Sequence, residues 1–244
     1  METILIATVA GLWGCGVGLL IPRAAYRLSV PPHGSWRTAC PAGHPLTGVG
    51  DGWLGRAHCA AGDSYGLATP CAAAITALVC SALAVATGAR PELVVWLLLA
   101  PVGVLLAIVD SAVHRLPDVL VLPLAGAVPV LLGIAALLPD ADGSWTAALL
   151  GSVVLGAGFF ALFLITPRGF GFGDVKLALA LGAVLGWYGW GILLVGTFAG
   201  YLLFALYGIG LILTRRASGT TVIPLGPFVL AGTLVGVLLG SCTR

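Results

Sequence analysis

Eight apolar stretches, 3–22, 68–88, 91–112, 118–138, 145–166, 173–189, 191–213 and 221–241, account for most of this chain and carry almost no charge. Each is 17 to 23 residues long, the length at which a helix rising about 1.5 Å per residue crosses a hydrocarbon layer roughly 30 Å thick. Lipid offers backbone N–H and C=O groups no partners, so segments of this kind must satisfy their own hydrogen bonds as helices. The short alternating segments of a membrane β-barrel are absent. Of the 244 residues 59% are hydrophobic and 8% charged, against about 25% charged in an ordinary soluble domain. The predicted fold is an all-α polytopic membrane protein with about eight transmembrane helices. The sixth stretch is the shortest and the most interrupted by glycine.

Three regions follow: 1–22, a first transmembrane helix; 23–67, the one sizeable polar segment, rich in Gly, Pro and His; and 68–244, a seven-helix region. Met1-Glu2-Thr3 puts no positive charge ahead of the first apolar run, as a secretory leader would, so that run reads as a retained helix. Basic residues of short loops stay on the cytoplasmic side. With the amino terminus outside, Arg23, Arg27, Arg37, Arg56, Arg115, Arg168, Lys176, Arg215 and Arg216 fall inside, and Arg90 and Arg244 outside, nine against two. The 23–67 loop is therefore expected in the cytoplasm, and the net charge of +2 is a topology signal with no hint of nucleic acid. Cys15, Cys71 and Cys80 fall in spans, Cys40 and Cys59 in a reducing compartment, and Cys242 alone outside, so no disulfide is expected.

Two carboxylates stand where they are costly. Asp110 closes the third apolar run and Asp174 opens the sixth; an acid in a membrane segment costs roughly 2.5 kcal/mol or more and marks a functional site by default. Span parity puts both at the cytoplasmic face, 64 residues apart in sequence. Two carboxyls a few ångströms apart share one proton over a wide pH range. One then takes a proton from water while the other protonates the carbonyl oxygen or the leaving amine, which is peptide hydrolysis without metal or covalent intermediate. Neither a His-Glu-x-x-His element nor a Gly-x-Ser-x-Gly elbow is present. Gly169, Gly171 and Gly173 beside Asp174 are expected to allow positive φ and close approach of a substrate strand. As the opener of a helix, Asp174 also meets a dipole that favours its charged form.

The residues Asp110-Ser-Ala-Val-His114-Arg115-Leu116-Pro117-Asp118-Val-Leu-Val-Leu-Pro123 and Gly171-Phe-Gly-Asp174-Val-Lys176-Leu resemble the motifs of the type IV prepilin peptidases, GxGD aspartic proteases of bacterial inner membranes. Ile223-Pro224-Leu225-Gly226-Pro227-Phe228 resembles that family's carboxy-terminal motif, and Cys40-Pro41-Ala42-Gly43-His44-Pro45-Leu46 its cytoplasmic-loop motif. The resemblance covers nearly the whole chain. It implies cleavage of the basic leader of prepilins or pseudopilins at the cytoplasmic face of the inner membrane, with Asp110 and Asp174 as the catalytic pair and Gly171, Gly173, Lys176 and Asp118 in support. Proteolysis then needs no cofactor. Many members also methylate the new amino terminus with S-adenosylmethionine as donor.

The chain departs from that pattern in two places. The family's loop often carries two Cys-x-x-Cys pairs that can hold zinc; here Cys40 and His44 remain of the first and Cys59 of the second. A site of Cys40, His44, His58 and Cys59 has poor spacing, so no metal is expected. The Asn that the family places before the first cytoplasmic Arg is also missing, the neighbourhood reading Ile21-Pro22-Arg23, which counts against methyl transfer. Other residues have plain structural readings. Asp118 caps the fourth span; Arg168 and Lys176 anchor the inner face; His114 and Arg115 are loop surface; Gly182, Gly186, Gly196 and Gly200 let helices pack closely. Trp187, Tyr188 and Trp190 form an outer aromatic belt. The rival function is a small proton-coupled transporter or channel component, since intramembrane acids also relay protons.

Overall fold

The computed structural model describes residues 1–31, 34–59, 62, 64–166, 171–216 and 222–243. Its elements in chain order are α1 (Glu2–Gly18), α2 (Ile21–Leu28), the single turn α3 (Val49–Gly52), α4 (Thr69–Thr87), α5 (Glu92–Val113), α6 (Asp118–Ala135), α7 (Trp145–Ile165), α8 (Phe172–Trp187), α9 (Trp190–Leu213) and α10 (Gly226–Cys242). The described residues form no sheet, only two isolated antiparallel bridges, Ala39 with Pro45 and His58 with Ser64. A helix occupies each of the eight predicted stretches. Five of them, α4, α5, α6, α7 and α9, are long and apolar enough to cross a membrane, or six if α1 and α2 form one bent span; α10 is a shorter apolar helix. The chain is a multi-pass helical membrane protein. The count of crossings read from these helices is five to six, against the eight expected, because α8 and α10 stop at 16 and 17 residues and the first stretch breaks in two.

That break has a local cause. Pro22 sits in the first turn of α2, where its ring excludes the carbonyl four residues back, at Gly18. α1 therefore ends at Gly18 and the chain bends by 44°. Gly88, with φ +67, ends α4, and the Ser144 side chain starts α7 by accepting the Ala147 N–H at 3.3 Å.

The chain divides into two compact units, 1–89 with 96–115, and 90–95 with 116–244. In the first, α1 and α2 pack on α4, and Gly14 and Gly18 of α1 are the points of closest approach: a Cβ on Gly18 would lie 2.7 Å from the Ala73 Cα. In the second, α8 packs against α6, α7, α9 and α10 and is buried almost throughout from Val175 to Trp187. Lipid is as apolar as leucine, so helices associate in it through close van der Waals packing of small residues. Gly182 and Gly186 of α8 fit against Gly151 and Ala147 of α7, and Gly196 and Gly200 of α9 against Gly232 and Val229 of α10, as expected of these four glycines. The opposite face of α9 shows Leu194, Phe198, Leu202, Leu206, Ile209 and Leu213 to the surroundings.

The aromatic belt needs correction. Trp187 is fully buried and Tyr188 nearly so, because Gly143 presses on the indole face and the Tyr188 hydroxyl pairs with Ser241 Oγ at 2.7 Å. Trp190 alone of the three stays half exposed.

Candidate active site

Asp110 lies in the last turn of α5. His114 donates its N–H to the Asp110 carbonyl at 2.8 Å and then turns left-handed, φ +52, which ends the helix. The Asp110 residue is 4% exposed, too little for an acid that merely reaches out to water at a helix end. The next residues leave on the first unit's own surface, where Arg115 donates to the Pro31 carbonyl at 3.1 Å. α5 presents Val104, Ala107, Ile108, Ser111 and Ala112 to a groove of about 690 Å³. Tyr26, Tyr65 and Arg37 line the groove's other side.

Asp174 is the third residue of α8, in the second unit. The Gly171 N–H donates to Asp174 Oδ2 at 3.1 Å, and the Asp174 N–H donates to the Gly171 carbonyl at 3.0 Å. This is a reciprocal cap in which a backbone carbonyl replaces the usual serine or threonine side chain. The glycines do not work as expected from the sequence. Gly171 is extended, φ −78 and ψ 145, and Gly173 is helical, so neither supplies positive φ. Gly173 is needed for close approach, since a Cβ there would lie 3.1 Å from the Leu116 Cβ. Gly169 and Arg168 lie outside the described residues.

Asp118 also changes role. Pro117 occupies the cap position of α6, and its carbonyl, not the Asp118 side chain, takes the first N–H groups. The Asp118 carboxylate instead accepts a 2.8 Å hydrogen bond from Lys176 Nζ, whose charge also sits 5.0 Å from the Phe172 ring centre. Leu116 against Gly173 and Asp118 against Lys176 thus fasten the start of α8 to the start of α6 and the residues just before it. The structure brings these four residues together within the second unit, whereas Asp110 belongs to the first unit. Tyr201 of α9 was not visible from the sequence as anything but a mid-span tyrosine. Its hydroxyl is buried with no hydrogen-bond partner among the described residues.

The polar segment of the first unit holds a second cluster. Two tight turns are built alike: Gly43 donates its N–H to the Cys40 carbonyl at 2.9 Å, and Gly62 to the Cys59 carbonyl at 3.0 Å. Both glycines have positive φ, +84 and +91, which a side chain would resist. Each turn is closed by one of the two antiparallel bridges. The turns meet with Cys40 Sγ 2.9 Å from Cys59 Sγ and His44 Nδ1 3.0 Å from Cys59 Sγ. Cys59 and the neighbouring backbone hold the Cys40 thiol down, at about 7, against the upward pull of burial. The objection of poor spacing therefore fails for Cys40, His44 and Cys59, whose donor atoms lie within 4.8 Å of one another. Two thiolates and an imidazole are a donor set that suits zinc. His58 lines the same cavity without joining the triad.

Residues 97–240 match the model of the type IV leader peptidase family. A prepilin leader peptidase/N-methyltransferase of Aeromonas salmonicida (strain A449) is 35% identical over 235 residues, covering 90% of this chain and 75% of that protein. One of Aeromonas hydrophila is 35% identical over 92% of this chain and 77% of its own length. One of Bacillus subtilis (strain 168) is 38% identical over 40% of this chain and 38% of its own. No solved structure matches the chain.

Proposed function

The chain belongs to the type IV leader peptidase family, and from that premise we propose that it is a membrane aspartic endopeptidase that removes the basic leader of prepilins or pseudopilins at the cytoplasmic face of a bacterial inner membrane. Asp110 and Asp174 are the catalytic pair. Their pairing rests on motif position; the observation that carries the chemistry is the placement of each acid on its own helix. An acid in the last turn of α5 meets the negative end of that helix, and one in the first turn of α8 meets the positive end. The two carboxyls are thereby inequivalent, which is what one shared proton and two distinct roles require. Asp174, at the positive end of its helix, takes the proton from water as it attacks the scissile carbonyl. Asp110, buried in α5, gives its proton to the carbonyl oxygen; as the tetrahedral intermediate collapses and the C–N bond breaks, the proton that Asp174 took from water passes to the leaving amine and a hydroxyl proton of the intermediate returns to Asp110.

The surroundings suit a substrate that is part helix and part extended leader. The apolar groove beside Asp110 on α5 offers a wall for the hydrophobic segment that follows the cut, and lipid surrounds the rest. Lys176 and Asp118 hold the α8 turn that carries Asp174. Where methyl transfer follows cleavage, S-adenosylmethionine is the donor. The Cys40, His44 and Cys59 cluster is the place where zinc would be held in the 23–67 loop, at a distance in function from the acid pair, which activates water without a metal.

The test is incubation of the purified protein in detergent with a prepilin, followed by mass measurement. Loss of the leader mass is the expected result, and a further gain of about 14 mass units would report methylation. Asp110→Asn and Asp174→Asn are each expected to insert and fold normally and to leave the prepilin uncut, because an amide neither accepts nor donates the shared proton. Normal cleavage by either variant would overturn the assignment of the pair. Proton flux in liposomes by a protein that cuts no prepilin would restore the transporter reading.

A further inference from the structure

Within the second unit, three helices converge on the level of Asp174. The contacts between α7 and α8 run in antiparallel register: Ala147 lies against Gly186, Gly151 against Gly182, Gly156 against Leu179, and Phe163 against Phe172, with ring centres 5.5 Å apart. Phe159, midway between Gly156 and Phe163, is therefore level with the first turn and a half of α8. The Tyr201 ring of α9 packs on Phe159 with centres 5.9 Å apart. The depth along α8 and α9 agrees. The two helices share an end at Trp187 and Trp190; at about 1.5 Å per residue, Asp174 lies about 20 Å from that end and Tyr201 about 17 Å. Asp174 is also close enough for its charge to bear on the Tyr201 phenol.

A buried hydroxyl with no partner costs stability, so its retention asks for an explanation in the working state of the site. Tyr201 contributes such a hydroxyl, at the depth of an acid that the reaction needs in one orientation. Phe159 fixes the phenol ring and leaves the hydroxyl as the variable end.

We propose that Tyr201 is a positioning residue for Asp174, its hydroxyl donating a hydrogen bond that, together with the Gly171 N–H, holds the carboxyl in the orientation that receives the proton of the attacking water. The inference rests on the reading of Asp174 as catalytic. It adds a third helix, α9, to the elements that build the site. The phenol does not enter the reaction itself; it acts through the carboxyl, so its loss should slow turnover and spare substrate binding.

Tyr201→Phe keeps the ring against Phe159 and removes only the donor. Cleavage of a prepilin by this variant should show kcat lowered about tenfold, the worth of one hydrogen bond to a charged group, with KM within about twofold and a melting temperature in detergent equal to or above the parent's. Thr197→Val is the control: Thr197 also buries an unpartnered hydroxyl on α9, but one turn, about 6 Å, away along the helix, and its variant should turn over like the parent. A merely packed tyrosine would give Tyr201→Phe parental kcat, and that result overturns the proposal, as does an equal loss in Thr197→Val. Cleavage by Asp174→Asn would remove the premise instead, a failure recognisable because it does not depend on Tyr201.

Discussion

The Lys176 and Asp118 pair should respond asymmetrically to the loss of either partner. The two side chains differ in environment: Lys176 is 16% exposed and Asp118 57% exposed. Lys176→Met removes the attraction and leaves Asp118 to be hydrated where it stands. The cost is that of a surface pair, about 0–1 kcal/mol. Asp118→Asn strands a mostly covered ammonium. A wholly buried charge stripped of its partner costs about 3–5 kcal/mol, but here the Phe172 face keeps about 0.5–1 kcal/mol of cation–π attraction, and water reaches part of the side chain. An intermediate cost of about 1–2 kcal/mol follows for Asp118→Asn, or about 2–8 °C in melting temperature at about 2–4 °C per kcal/mol for a chain of this size.

The double variant has no stranded ammonium and should melt near Lys176→Met, giving a coupling of about 1–2 kcal/mol in the cycle. Thermal unfolding of the four proteins in one detergent measures this, and leader cleavage by each completes the test. Asp118→Asn should keep measurable activity, because Asp118 is outside the acid pair. Greater destabilisation by Lys176→Met than by Asp118→Asn, or additivity within about 0.5 kcal/mol, would refute the reasoning. A dead Asp118→Asn with an active Asp110→Asn would mean that the acids had been paired wrongly.

Two further outcomes test other parts of the molecule. Gly182→Ala should destabilise by several kcal/mol or prevent insertion, since its Cβ would run into the Gly151 backbone, which no rotamer change relieves; Gly126→Ala, whose Cβ meets nothing, should be neutral, and equal melting of both variants would contradict the packing assigned to α7 and α8. Zinc supplied to the reduced protein should protect Cys40 and Cys59 from alkylation, and His44→Ala should weaken that protection. Leader cleavage should nevertheless continue in a chelator, because the carboxyls alone activate the water; loss of cleavage on chelation with full recovery on zinc would bring the metal into the reaction's requirements.

The helices were legible because membrane spans announce themselves by length and apolarity, properties of a contiguous segment. What the sequence concealed depends on partners far along the chain. Asp118 before an apolar run looks the same whether it caps its own helix or binds a lysine 58 residues away, and only the placement of Pro117 at the cap decides. Glycine offers two freedoms, positive φ and the absence of a Cβ, and a Gly-x-Gly pattern does not say which is used. Beside Asp174 it is the second, at Leu116; in the turns of Cys40 and Cys59 it is the first. Trp187 was misplaced for a related reason: an aromatic at a span end suits either lipid headgroups or a covered pocket, and Gly143, more than forty residues earlier in the chain, covers it.

The same distinction explains why the metal cluster was set aside on its spacing and why Tyr201 escaped notice. Ligand spacing is informative when each pair of donors shares one turn, as in Cys-x-x-Cys. Here each turn keeps one cysteine, and the donors are joined by pairing of two turns, with His44 supplied from just beyond the first. Tyr201 has no neighbour in sequence that distinguishes it from a lipid-facing tyrosine. Its meaning comes from the register of α7 on α8, set by Gly151, Gly182 and Gly186, which carries Phe159 to the depth of Asp174 and gives the phenol a wall to lean on. The small residues that let these helices touch thus also determine which polar side chain reaches the acid.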